Sequence, residues 1–166
     1  MSMIGSFRRV QRGADLPFDP ATRSNRMTPG PASITLHVRA TIEAIRPATV
    51  QAEEWMSEQR VSTDAFFLAS LAIEELVTNC IKYGYDDSND HMIDIVLTVD
   101  DGALRIEVID DGRPFNPLEA PEPDMSLAMK DRPIGGLGIH LMRELADEAT
   151  YERRDRTNRL VLLKRM

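Results

Sequence analysis

Two alternating runs on either side of a three-residue turn commit this chain to an antiparallel hairpin. Met92 to Val99 and Leu104 to Ile109 place apolar residues at every second position, the pattern of strands with one buried face. Between them, Asp100-Asp101-Gly102 is a tight-turn sequence, because Asp and Gly tolerate the left-handed backbone a short hairpin needs. A sheet built on such a hairpin is antiparallel, and its apolar face must be covered by other elements.

The flanking segments supply the cover. Ser33-Ile34-Thr35-Leu36-His37-Val38 alternates as a further strand. Ile42 to Arg60 predicts a helix with Ile42, Ile45, Val50, Trp55 and Met56 facing inward, and with Pro47 near its start, where proline is tolerated. Ser62-Thr63-Asp64 offers N-cap chemistry to a second helix, from about Ala65 to Lys82, that ends at Tyr83-Gly84-Tyr85. Asp86 to Asp90 is a polar turn. Residues 114–134 hold five prolines and little periodicity, which predicts a long loop of the kind that often serves as a lid. Gly138 to Ala146 is helical, and Thr150 to Arg154 and Leu160 to Lys164 pair around the turn Asp155–Asn158. This order segregates strands from helices. It predicts an α+β fold: a two-layer sandwich whose mostly antiparallel (mixed) sheet is covered on one face by helices.

Composition narrows the function classes. The 166 residues, 42% of them hydrophobic, suit one domain with a real core. Residues 1–30 carry five arginines against two aspartates among prolines and glycines, and read as a flexible leader before a folded domain at 31–166. A net charge of −7 and a pI near 5.0 argue against direct nucleic-acid binding and against a membrane-surface protein. The longest apolar stretch, Ala65 to Ile73, is broken by Ser70 and too short to span a bilayer. Cys80 is the single cysteine, so no intrachain disulfide is available, and it reads as a small buried hydrophobe. His37, His91 and His140 are scattered and form no metal cluster, and His140 reads as a helix-surface residue. With no secretory core at the N-terminus, the cytoplasm is the expected compartment.

Three short segments carry chemistry. In Leu71-Ala72-Ile73-Glu74-Glu75-Leu76-Val77-Thr78-Asn79, Glu75 and Asn79 are four apart and share a helix face. A carboxylate there suits a general base, and the amide oxygen suits Mg²⁺, which takes few protein ligands and keeps waters. Glu74 is the rival of Glu75 but shares a face with Asn79 less well. Asp110-Asp111-Gly112 follows a strand. A carboxylate at that point accepts a hydrogen bond from adenine's exocyclic amine, and Gly112 lets the backbone approach the base. Gly135-Gly136-Leu137-Gly138 precedes a helix, where backbone N–H groups and the helix terminus favour phosphate. It is neither a P-loop nor a dinucleotide fingerprint. Singly, these segments have bland readings: a surface helix, an Asp-Gly turn, a hinge. Together, with a lid between the last two, they specify a nucleotide site.

Over about Ser33 to Met166 the chain resembles the GHKL ATPase superfamily, whose N, G1 and G2 boxes match Glu75–Asn79, Asp110–Pro117 and Gly135–Ile139. Within it, the chain is most similar to the small bacterial anti-sigma-factor serine kinases of the RsbW type. The resemblance implies the Bergerat ATP-binding fold, with ATP and Mg²⁺ as cofactors. It places the general base on Glu75 and the Mg²⁺ ligand on Asn79. Adenine reading falls on Asp110 with Gly112 beside it, and phosphate contact on Gly136 and Gly138 within Gly135–Gly138. Two departures stand out. Pro114 replaces the second glycine of the longer G1 pattern, as in this subgroup. Relatives carry a Thr early in the last strand that holds adenine through water, whereas Asn158-Arg159-Leu160-Val161 offers none and Thr157 is the nearest substitute. Lys130 and Arg132 in the lid read as solvated charges within reach of phosphate.

The resemblance therefore implies a serine/threonine protein kinase that phosphorylates a small STAS-type anti-sigma-factor antagonist and sequesters a sigma factor, as a homodimer. The alternative is a nucleotide-binding module that regulates a partner without appreciable phosphotransfer. A histidine kinase's catalytic half would be expected to follow a dimerising hairpin, and a chaperone or topoisomerase of this superfamily would need further domains.

Overall fold

The central hairpin forms as its alternation predicts. The structure, a computed structural model, describes residues 30–87, 89–121 and 137–166. The elements run β1 (Ala32–Arg39), α1 (Ile42–Glu58), α2 (Thr63–Asn79), a π-helical turn (Cys80–Gly84), β2 (Met92–Asp100), β3 (Ala103–Asp110), a 3₁₀ turn (Pro117–Glu119), α3 (Leu137–Leu145), β4 (Glu148–Arg154) and β5 (Thr157–Arg165). Asp101 and Gly102 between β2 and β3, and Asp155 and Arg156 between β4 and β5, adopt positive φ (46°, 72°, 48° and 70°). Two successive left-handed residues match the twist of the strands they join.

The five strands lie in the order β1-β2-β3-β5-β4, and every pairing is antiparallel. The α+β expectation holds, with no parallel pair among the described residues. One face is apolar: Ile93, Ile95 and Leu97 of β2 and Leu104 and Ile106 of β3 are fully buried. Helix α2 lies between α1 and α3 and against β3 and β5, and buries Leu68, Ile73 and Val77 completely. Each such side chain contributes roughly 1.5–3 kcal/mol. Ser62 caps α2, its Oγ accepting from the Ala65 N–H at 3.4 Å. The opposite sheet face is polar. There Glu107 accepts from Arg105 Nε at 2.7 Å and from Arg159 Nε at 2.8 Å, and Arg159 donates to Glu152 at 3.0 Å.

Three expectations change. Ile42 is 51% exposed, and the buried stripe of α1 is Ala48, Thr49, Ala52 and Met56. At about 100° per residue, Ile42 points within a quarter turn of that stripe, but it is the first residue of α1 and precedes the packed turns. Pro47 falls within α1 rather than at its start. The second helix leaves α geometry at Asn79 and finishes as the π turn. Within the expected loop, Asn116 caps the 3₁₀ turn, accepting from the Leu118 N–H at 3.0 Å. The leader through residue 29, and lid positions Lys130 and Arg132, lie outside the described residues.

Candidate functional site

Strand parity decides what the sheet offers the helices. Asp110 ends β3 in step with Leu104, Ile106 and Val108, so its side chain lies on the helix-covered face. Its cross-strand partner is Asn158, and that residue's partner is Arg153. A polar row thus crosses three strands at one end of an otherwise apolar face. Thr157 is out of step by one and belongs to the opposite face, so it cannot replace the threonine of relatives. Asn158 holds the inward place and is 5% exposed.

The row is closely hydrogen-bonded. Asp110 Oδ1 accepts from the Gly112 N–H and from Asn158 Nδ2, both at 2.8 Å. Asn158 Nδ2 also donates to the Arg113 carbonyl at 2.9 Å. Asn158 Oδ1 accepts from the Tyr151 hydroxyl at 2.8 Å and from Arg153, which also donates to the Gly112 carbonyl at 3.0 Å. Gly112 has no room for a side chain: a Cβ there would meet Asp110 Oδ1 at 2.8 Å and the Gly84 carbonyl oxygen at 3.0 Å. The Arg113 N–H donates to that same carbonyl at 2.8 Å. The π turn therefore ends by docking Gly84 onto the segment that follows Asp110. Single π turns inside α-helices are frequent at functional sites.

Between α2, the π turn and this polar row lies a cavity of about 220 Å³. Asn79 and Cys80 line it from the helix, and Asp110 and Asn158 from the sheet. Val108 and Leu160 supply apolar wall, and the exposed Tyr83 and Phe115 stand at its solvent side. Apolar walls with a few placed polar groups are the usual make-up of a small-molecule site. Burial pushes the Cys80 thiol well up, and the neighbouring Asp110 charge and hydrogen bond push it further. The thiol stays protonated, which makes it an inert wall.

Beside the cavity, burial and then the Asp110 charge raise Tyr85, whose buried hydroxyl has no partner among the described residues. The Tyr85 ring stacks on His91 at 4.0 Å between centroids. His91 sits between Asp87 (2.8 Å) and Asp111 (3.1 Å), and Arg113 pairs with Asp86. These contacts tie the segment after the π turn to the end of β3.

Glu75 occupies a different place from the cavity lining. It is half buried while Glu74 is exposed. Its side chain lies against Gly138, near the start of α3: a Cβ on Gly138 would overlap the Glu75 carboxyl, with Oε1 at 2.6 Å. Leu137 opens α3 and is 44% exposed, whereas Gly138 is buried. Gly135 and Gly136 lie outside the described residues. The structure thus brings Asn79 and Asp110 together on the cavity, sets Gly112 against Asp110, and packs Glu75 against Gly138. Sequence reasoning missed Asn158, Arg153 and Tyr151. The available signal was strand parity counted back from Leu160 and Leu162.

A family model described as histidine kinase-like ATPase domain matches residues 38–164. The serine/threonine-protein kinase BtrW of Bordetella bronchiseptica is 25% identical over 128 residues, covering 77% of this chain and 90% of that protein. The anti-sigma F factor of Geobacillus stearothermophilus is 24% identical over 118 residues, 71% of this chain and 81% of that protein. The serine-protein kinase RsbW of Staphylococcus aureus is 32% identical over 88 residues, 49% of this chain and 55% of that protein. Among solved structures, the RsbU and RsbW domains of Rv1364c from Mycobacterium tuberculosis match with a TM-score of 0.59 at 22% identity. That match covers 81% of this chain and 32% of the other, and it is a likeness of fold.

Proposed function

This chain belongs to the histidine kinase-like ATPase domain family, and from that premise we propose that it is an ATP-dependent serine/threonine protein kinase and anti-sigma factor. It phosphorylates a small STAS-type anti-sigma-factor antagonist and, in the partner-switching manner, sequesters a sigma factor. The observation that carries this reading is the inward face of α2 and its surroundings: Glu75 against Gly138, and Asn79 and Asp110 on one cavity. The names of the relatives support the choice of partners.

Each residue has a task. Asp110 accepts from the exocyclic amine of adenine, between the apolar walls. Asn79 would hold Mg²⁺ through its amide oxygen, and the ion would supply neutralisation of phosphate charge. The donor set fits that ion. Mg²⁺ in nucleotide sites relies on one or two side-chain oxygens, phosphates and waters, and Asn79 offers such an oxygen on the cavity wall. Gly135–Gly138 offers backbone N–H groups to phosphate, and those of Leu137 and Gly138 belong to the first turn of α3, where N–H groups lack helical partners. Glu75 takes the proton of the antagonist's serine as that oxygen bonds to the γ-phosphorus. The bond to the bridging oxygen breaks, and ADP leaves. Catalysis is mainly positioning and charge stabilisation.

On this reading the protein acts in the cytoplasm as a homodimer, apart from nucleic acid and membrane. No described helix is long and apolar enough to cross a membrane. The test is incubation with γ-labelled ATP, Mg²⁺ and the cognate antagonist. Label appears on the antagonist and is lost in Glu75→Ala, while ATP affinity stays within a few-fold. Tight ATP binding with no label on the antagonist would instead make the protein a regulatory module without phosphotransfer.

A further inference from the structure

We propose that Asn158 is the positioning residue that fixes how Asp110 presents its carboxylate, and thereby sets the preference for a base bearing an exocyclic amine over one bearing a carbonyl. The inference rests on the nucleotide reading above and deepens it.

The amide of Asn158 has one workable orientation. Its Oδ1 accepts from Tyr151 and Arg153, and its Nδ2 donates to Asp110 Oδ1 and the Arg113 carbonyl. Turning it over would set its oxygen against two acceptors and its N–H groups against two donors. Arginine carries no acceptor, so the Arg153 contact alone forbids the flip. At 5% exposure there is little water to compensate a wrong orientation.

This orientation passes to Asp110. Oδ1 accepts two N–H groups, one from the backbone of Gly112 and one from Asn158, both at 2.8 Å. Those two bonds use one oxygen and fix the carboxylate plane. A carboxylate has about four lone-pair sites, so Oδ2 is the oxygen left to accept from a ligand in the cavity that Asp110 lines. A fixed acceptor welcomes an N–H and repels a carbonyl oxygen. A mobile carboxylate would swing away from the carbonyl and discriminate less. The side chains of the lock stand on three paired strands, β3, β5 and β4, and the backbone of Gly112 and Arg113 after β3 closes it, which suits it to hold one geometry.

The experiment measures dissociation constants for ATP and inosine triphosphate by calorimetry with Mg²⁺. These nucleotides differ along one edge of the base: adenine carries a 6-amine beside an acceptor N1, and hypoxanthine a 6-carbonyl beside an N1–H. The parent prefers ATP by about a hundredfold or more, as sites built around a ligand N–H do. In Asn158→Asp, which sets an oxygen against Asp110, and in Asn158→Ser, the preference falls by about tenfold or more, with melting curves showing the variants folded. Tyr151→Phe removes one hydroxyl from the lock and lowers the preference in the same direction, which keeps the test open should the Asn158 variants not fold. An unchanged preference in the folded variants overturns the proposal. So does a parent that binds both nucleotides equally, although nucleotide binding itself would then stand. A parent that binds neither overturns the nucleotide reading as well.

Discussion

Gly138 shows how one missing methyl group shapes the chemistry. On helix propensity alone, Gly138→Ala would stabilise α3 by roughly 1 kcal/mol. The new Cβ would overlap the Glu75 side chain, however, and overpacking of this kind costs roughly 1–3 kcal/mol. The expected outcome is a displaced Glu75: phosphotransfer to the antagonist falls by about tenfold or more while ATP affinity changes less, as separate kinetic and calorimetric measurements would show. His91 gives a second prediction at this scale. Its hydrogen bond to Asp87 is the main cause that raises its pKa, against some loss of solvation, and Asp111 adds to the rise. A raised pKa means the protonated form is favoured in the native state. That contribution is complete below the unfolded value of about 6.5 and is lost as pH rises through the native value. The melting temperature of the parent relative to His91→Gln should therefore be highest near pH 5.5 and decline through the neutral range, read from paired melts across pH 5–9. A difference that does not vary with pH would count against it.

Helix α1 carries a defect that its sequence pattern concealed. Pro47 lacks the N–H that would bond the Glu43 carbonyl one turn back, in the body of the helix rather than at its start. Pro47→Ala is expected to stabilise the fold by roughly 1–3 kcal/mol, measured by urea unfolding, because Pro47 is exposed and its replacement disturbs no packing. The elements themselves were largely legible. Alternation located the strands, and Ser62 and the turn before β3 marked boundaries through local backbone chemistry; the second turn is Asp155–Arg156 alone, and Thr157 and Asn158, expected within it, open β5 instead. The π turn was not legible, because Cys80–Gly84 continues the helical pattern and the departure comes from docking Gly84 onto Gly112 and Arg113. The candidate site divides along the same line. Glu75 and Asn79 are signalled by their spacing on one helix, and Asp110 by its place at the end of a strand before a glycine. Asn158 and Arg153 act on Asp110 and Gly112, 48 and 41 residues away, which only strand order brings together, and Tyr151 reaches Asn158 across the β4–β5 hairpin.

At the scale of the whole molecule, the cavity sits where α2, the sheet and the residues after β3 converge, so a ligand there braces several elements at once. A ligand that binds only the native state at a hundred times its dissociation constant adds about 2.7 kcal/mol. For a domain of this size, that corresponds to a rise in melting temperature of roughly 5–10 °C. ATP with Mg²⁺ should produce such a shift, and a chelator should remove most of it, as differential scanning fluorimetry would record. No shift at saturating nucleotide would contradict a site at this convergence. The same convergence limits how the chain can change length. Because Asp155 and Arg156 set which residues of β5 point inward, inserting a single amino acid between that turn and Asn158 would rotate Thr157 toward the ligand and swing the amide to the far side. Insertions and deletions in this hairpin should therefore survive selection in pairs, since a change of two keeps each side chain on its own face.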